Sequence, residues 1–71
     1  MKILMISMYE SFEKTLDEFF DLNETVDFWI KPVYRLMWRT NVTSYTIDNV
    51  KLTLYRERDV YFVGYEKEEE Q

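Results

Sequence analysis

Residues 7–22, SMYESFEKTLDEFFDL, decide the fold, because there the local signals agree with one another. Ser7 followed three residues later by Glu10 is a capping box, in which the hydroxyl and the carboxylate each satisfy a free N–H of a first helical turn. The pattern predicts a helix starting at Ser7. Tyr9, Phe12, Leu16, Phe19 and Phe20, joined by Met8, recur at spacings of three and four and form one apolar stripe. Glu10, Glu13, Asp17, Asp21 and Glu24 recur in the same way, about 120° around the helix from the first stripe. This helix therefore has a greasy edge that belongs in a core and an acidic edge that a core does not need.

Before it, Lys2 to Ile6 is apolar at both alternating sets of positions and too short for a helix, so it reads as a strand covered on both sides. After it, Asn23 suits a helix C-cap because asparagine tolerates the left-handed conformation. Thr25 to Ile30 reads as a connection carrying Phe28 and Trp29. Pro32 disfavours helix at Lys31. From Val33 the alternation of Tyr34, Leu36 and Trp38 with Arg35, Met37 and Arg39 predicts a half-buried strand; a short helix opening with Pro32 in its first turn is the alternative.

The last third alternates more clearly. Tyr45 and Ile47, then Val50, Leu52 and Leu54, alternate with polar residues, and Asp48-Asn49 between them can take the positive φ angles of a tight hairpin. A second turn at Glu57-Arg58-Asp59 leads into Val60 to Glu66, with Tyr61, Val63 and Tyr65 on one face and Val60 and Phe62 on the other. The expected fold is a single α+β domain over residues 1–66. One amphipathic helix packs on an antiparallel sheet of four to five strands, order β-α-β-β-β(-β), and a charged tail, 67–71, frays. One helix covers one face, so Met37, Val42, Tyr55, Val60 and Phe62 fall partly on the far face and mark an interface. With Met37, Tyr55, Val60 and Phe62 as contacts, a homodimer is the simplest answer.

Composition narrows the chemistry. In 71 residues there is no cysteine and no histidine, which removes disulfides, thiolate metal sites and the commonest general base. No metal or other cofactor is expected. The hydrophobic share of 46% and aromatic share of 18% lie far from the signature of disorder. The apolar start ends at Ser7 without a cleavage site, and no run reaches the roughly 18 apolar residues that a bilayer span needs. These features predict a cytoplasmic protein with no membrane partner, so Asn23-Glu24-Thr25 and Asn41-Val42-Thr43 match the glycosylation pattern by chance.

Charge is segregated along the chain: seven acids and one lysine from Tyr9 to Asp27, then six basic residues and two acids from Lys31 to Arg58. Carboxylates three and four apart stand about 4.5 to 6 Å apart along a helix axis, comparable to the charge spacing of a nucleic-acid backbone. The acidic edge Glu10, Glu13, Asp17, Asp21 and Glu24 could therefore occupy a groove that normally holds phosphates; the plainer reading is a solvated helix face. Only Lys14 offsets the stripe, which favours the first. Arg35, Arg39, Lys51, Arg56 and Arg58, set among Tyr34, Trp38, Tyr45, Tyr55 and Tyr61, are a rival surface for single-stranded nucleic acid. The net charge of −5 opposes direct nucleic-acid binding. Catalysis has little support: paired carboxylates could serve acid/base chemistry, but a histidine-based nucleophile pair is impossible and Gly64, alone, cannot build a phosphate loop, so no enzyme is expected.

In its short length, its lack of cysteine and histidine, its aromatic richness, its carboxylate stripe and its acidic tail Glu66, Glu68, Glu69, Glu70, the chain resembles the small acidic early proteins with which bacteriophages inhibit host factors. That resemblance is of kind and implies a stoichiometric, non-enzymatic inhibitor presenting a DNA-mimic-like surface in the host cytoplasm. Its partner would be a protein with a basic surface, such as a host DNA-binding protein or nucleic-acid enzyme.

Overall fold

Ser11, not Ser7, caps the first helix. In the computed structural model, which describes residues 1–68, α1 spans Phe12–Leu22, and Ser11 Oγ accepts a hydrogen bond from the Lys14 N–H at 3.2 Å. Ser7 is instead the last residue of β1, Lys2–Ser7, where pairing opposite Tyr61 holds its backbone extended. Its Oγ accepts from the Tyr9 N–H at 3.3 Å, so the hydroxyl turns the chain without starting a helix. Met8 and Tyr9 consequently leave the apolar stripe, and Met8 is exposed. Phe12, Leu16, Phe19 and Phe20 keep their places in the core, joined by Thr15, whose hydroxyl donates to the Ser11 carbonyl at 3.1 Å. Asn23 does close α1, but at φ −124° rather than in the left-handed region; its side-chain amide donates to the Phe19 carbonyl at 2.9 Å.

The strand expected from Val33 is a second helix. A 3₁₀ turn over Phe28–Ile30 runs directly into α2, Lys31–Thr40, with Pro32 in the first turn, where its missing N–H leaves no helical bond unmade. Ile30, Tyr34 and Met37, spaced four and three apart, are buried with Val33 beside them, while Leu36 faces outward and Trp38, partly exposed, stacks on Phe12 at 4.7 Å between ring centroids. The period of 3.6 wins because α2 has the α1 stripe and the sheet to bury against. Asn41 ends it at φ 59°: its N–H reaches the Trp38 carbonyl and the Val42 N–H reaches that of Met37, the pairing that satisfies a last turn.

Three strands follow, β2 (Ser44–Ile47), β3 (Val50–Glu57) and β4 (Val60–Lys67), and β1 joins them in a four-stranded antiparallel sheet of order β1-β4-β3-β2. Asp48 and Asn49, at φ 50° and 64°, make the two-residue turn that the sequence signalled, and Arg58 at φ 56° turns β3 into β4. The α+β expectation thus stands, with two helices and four strands. Both helices lie on one face of the sheet, over Val50, Leu52, Leu54, Tyr61, Val63 and Tyr65. Lys67 and Glu68 are tied in rather than frayed: the Lys67 N–H donates to the Met1 carbonyl at 2.9 Å and the Glu68 N–H to that of Asn49 at 3.0 Å. Glu69, Glu70 and Gln71, the rest of the expected tail, lie outside the described residues. No described helix is long and apolar enough to cross a membrane.

Candidate functional site

With both helices on one face, the other face of the sheet is uncovered. Strand alternation and register place Lys2, Glu66, Lys51 and Thr46 in one row across it, then Leu4, Gly64, Thr53 and Ser44, then Ile6, Phe62 and Tyr55, with Val60 and Glu57 at the hairpin end. Leu4 and Ile6 are 61% and 60% exposed, although β1 was expected to be covered on both sides. As the edge strand beneath a single helical layer it has no cover. The Tyr55 and Phe62 rings stack at 4.4 Å between centroids, 6° from parallel, and form a raised ridge. Next to that ridge the surface dips. Gly64 has no side chain, and a Cβ there would lie 3.0 Å from the Thr53 Cβ, so the two residues floor a hollow of ≈ 390 Å³ rimmed by Lys2, Leu4, Lys51, Tyr55, Phe62 and Glu66.

Of the four interface candidates, Tyr55, Val60 and Phe62 lie on this open face, whereas Met37 is in the core under α2 and is no interface residue. Misreading α2 as a strand put it on the wrong side. Leu4 and Ile6 were missed; the observation that one helical layer covers one face applies to β1 as to the other strands. A second apolar groove, of ≈ 400 Å³, runs between α2 and β2 along Val33, Leu36, Tyr45 and Ile47.

The acidic edge is less open than its sequence suggests. Glu10 and Glu24 lie off the helix, on either side of α1. Glu13 receives a forked pair of bonds from Arg35, at 3.1 and 3.2 Å, and Asp17 lies 2.7 Å from Lys31 Nζ. Lys14 is therefore not the sole offset, because α2 supplies two more cations. The Glu13 hydrogen bond is the main cause holding the Arg35 guanidinium above its ordinary pKa. The signal was present in the sequence: Glu13 and Asp17 are four apart, as are Lys31 and Arg35, and two ladders of equal pitch on adjacent helices fall into register. Asp21 is exposed, and neither it, Glu10 nor Glu24 joins an ion pair among the described residues.

The basic candidates do not share a surface. Arg35 and Arg39 belong to α2, on the helical side, while Lys51 is on the open face beyond the sheet. Arg56 is engaged at home: its Nε donates to the Arg58 carbonyl at 2.6 Å, its guanidinium lies 5.5 Å from the Tyr61 ring centroid and 3.8 Å from Asp59. Arg58 occupies the turn.

Among the described residues no three carboxylate, histidine or cysteine side chains gather where a metal could bind, and no buried side-chain polar atom lacks a hydrogen-bond partner. Burial, with a smaller contribution from Tyr65, pushes the Tyr34 phenol well above its usual range; burial likewise raises Tyr65. Both changes keep a phenol neutral. Comparison of the chain with protein-family models, curated proteins and solved structures finds no match.

Proposed function

We propose that the chain is a non-catalytic interaction protein that binds a protein partner through the uncovered face of its sheet. The observation carrying this reading is the apolar row Ile6, Phe62 and Tyr55 with Leu4 beside it, four side chains that the chain's own helices leave in contact with water. Leu4 and Ile6 alone would pass as scattered surface residues. Joined to a stacked aromatic pair and set beside a hollow, they form a contiguous, shaped patch. The test is a paired variant, Leu4→Lys with Tyr55→Lys. It should keep the circular dichroism spectrum of the wild type and lose binding to whatever protein the wild type retains; retained binding overturns the reading.

A second surface suits a basic partner of the kind that the resemblance to phage early proteins implies. Asp21, Glu10 and Glu24 support it, because they keep their charge free of the inter-helix ion pairs among the described residues. Binding of this kind should weaken steeply with salt and with Asp21→Lys plus Glu24→Lys, and salt-insensitive binding speaks against it.

A further inference from the structure

We infer that the occupant of the open face is a second copy of this chain, the two sheets packing face to face about a two-fold axis that crosses the strands between the Gly64 row and the Phe62 row. The inference rests on the reading of that face as a contact surface, and names its partner.

Charge points first to self-association. The whole chain carries −5, yet the open face holds two lysines, Lys2 and Lys51, against three glutamates, Glu57, Glu66 and Glu68, and so carries only −1 of that charge. A nucleic acid would call for a positive face and a basic protein for a negative one. A nearly neutral face on an acidic molecule lets two copies approach with little repulsion.

Shape points the same way. The ridge of Tyr55 and Phe62 is one row from the hollow over Thr53 and Gly64, on the same two strands. A two-fold axis between those rows lays each ridge into the other copy's hollow. It brings Leu4 opposite the partner's Ile6 and Lys51 opposite the partner's Glu57, and each contact is made twice, as an isologous interface requires. Two sheets stacked in this way stand about 10 Å apart.

The area is sufficient. Four strands about 4.8 Å apart, four to eight residues long at about 3.3 Å per residue, give a footprint of roughly 400 Å² per copy. Two copies bury roughly 800 Å² before side-chain relief is counted, which brings the total to the ~1,000 Å² of a specific interface.

Sedimentation equilibrium of the full chain across micromolar concentrations tests the inference. The wild type should be a dimer with a concentration-dependent melting temperature. Tyr55→Lys, which removes the ridge, and Thr53→Tyr, which fills the hollow, should each raise the dissociation constant at least about tenfold. Glu57→Lys should also weaken the dimer, and adding Lys51→Glu should restore it, a charge swap that leaves the packing alone. A monomeric wild type overturns the inference. So does a dimer indifferent to Tyr55→Lys, Thr53→Tyr and the charge swap, as would form by pairing along the β1 edge, about 10 Å from β3. For a monomer, lysate capture by the wild type compared with Leu4→Lys plus Tyr55→Lys separates the two readings: face-dependent capture overturns self-association and keeps the broader proposal, and capture that ignores the face ends both.

Discussion

Tyr34 on α2 reaches through the core and donates its hydroxyl to the backbone carbonyl of Gly64 on β4, at 2.6 Å. One residue thus joins the two layers: its carbonyl anchors the helices from below, and its missing side chain opens the hollow on the far face. Replacing Tyr34 with Phe keeps the ring and removes the bond. The cost should be about 0.5–1.5 kcal/mol, read from urea unfolding.

The same phenol predicts how stability depends on pH. Its folded-state pKa is raised above its ordinary value of 10, so the native state holds the proton more tightly than the unfolded chain does. The linked contribution is fully present below about pH 10 and is lost as pH rises beyond it toward the folded-state value. Melting temperatures should therefore fall above about pH 10, and Tyr34→Phe should flatten that fall.

Two serines separate the true helix start from the apparent one. Ser11→Ala should cost about 1 kcal/mol and speed hydrogen exchange at the Lys14 amide, which Ser11 caps. Ser7→Ala should leave exchange in α1 unchanged, because its hydroxyl serves the Tyr9 amide in the turn after β1.

Charge reversal along α1 should not be uniform. Asp21→Lys, at an exposed position, should change stability by no more than about 0.5 kcal/mol. Asp17→Lys should cost more, about 1 kcal/mol, because it sets an ammonium against Lys31, whose side chain is only 14% exposed. The difference between the two variants in thermal unfolding at low salt is the measurement, and it should shrink as salt is added.

Gly64→Ala should destabilise the fold by about 1–2 kcal/mol, since the added methyl would sit 3.0 Å from the Thr53 Cβ. In a Thr53→Gly background the same change should cost less. Equal costs in the two backgrounds would place the strain elsewhere.

The β3 and β4 alternation and the Asp48-Asn49 turn were legible because a hairpin is specified by residues adjacent in sequence. The apolar stripe of α1 was legible for the same reason. What failed depended on distant partners. Val33 to Arg39 satisfies a period of two as well as one of 3.6, and only the surface waiting to bury Ile30, Tyr34 and Met37 selects the helix. Ser7-x-x-Glu10 matched a capping motif, but pairing of β1 with β4 claimed the Ser7 backbone first. The acidic edge was misjudged in turn: once α2 was read as a strand, Lys31 and Arg35 could not be seen as the other half of a charge ladder. The open face was anticipated through Tyr55, Val60 and Phe62, while Leu4 and Ile6 were missed because β1 was read as covered on both sides.

In the sheet order, β1 lies against β4, so the earliest-made of these four strands finds its neighbour only when the latest of them appears. Throughout synthesis α1 is therefore tethered to a strand with nothing to pair with, and its phenylalanines, which meet Phe28, Tyr34 and Trp38 from the earlier part of the chain, lack the β4 side of their core until residues 60–67 have emerged. Nascent chains stopped short of Val60 should engage chaperones through that stripe, and folding should follow release in one late step. Joining the first and last strands by a short linker and reopening the chain at Asp48-Asn49 would make those two strands neighbours in time as well as in space.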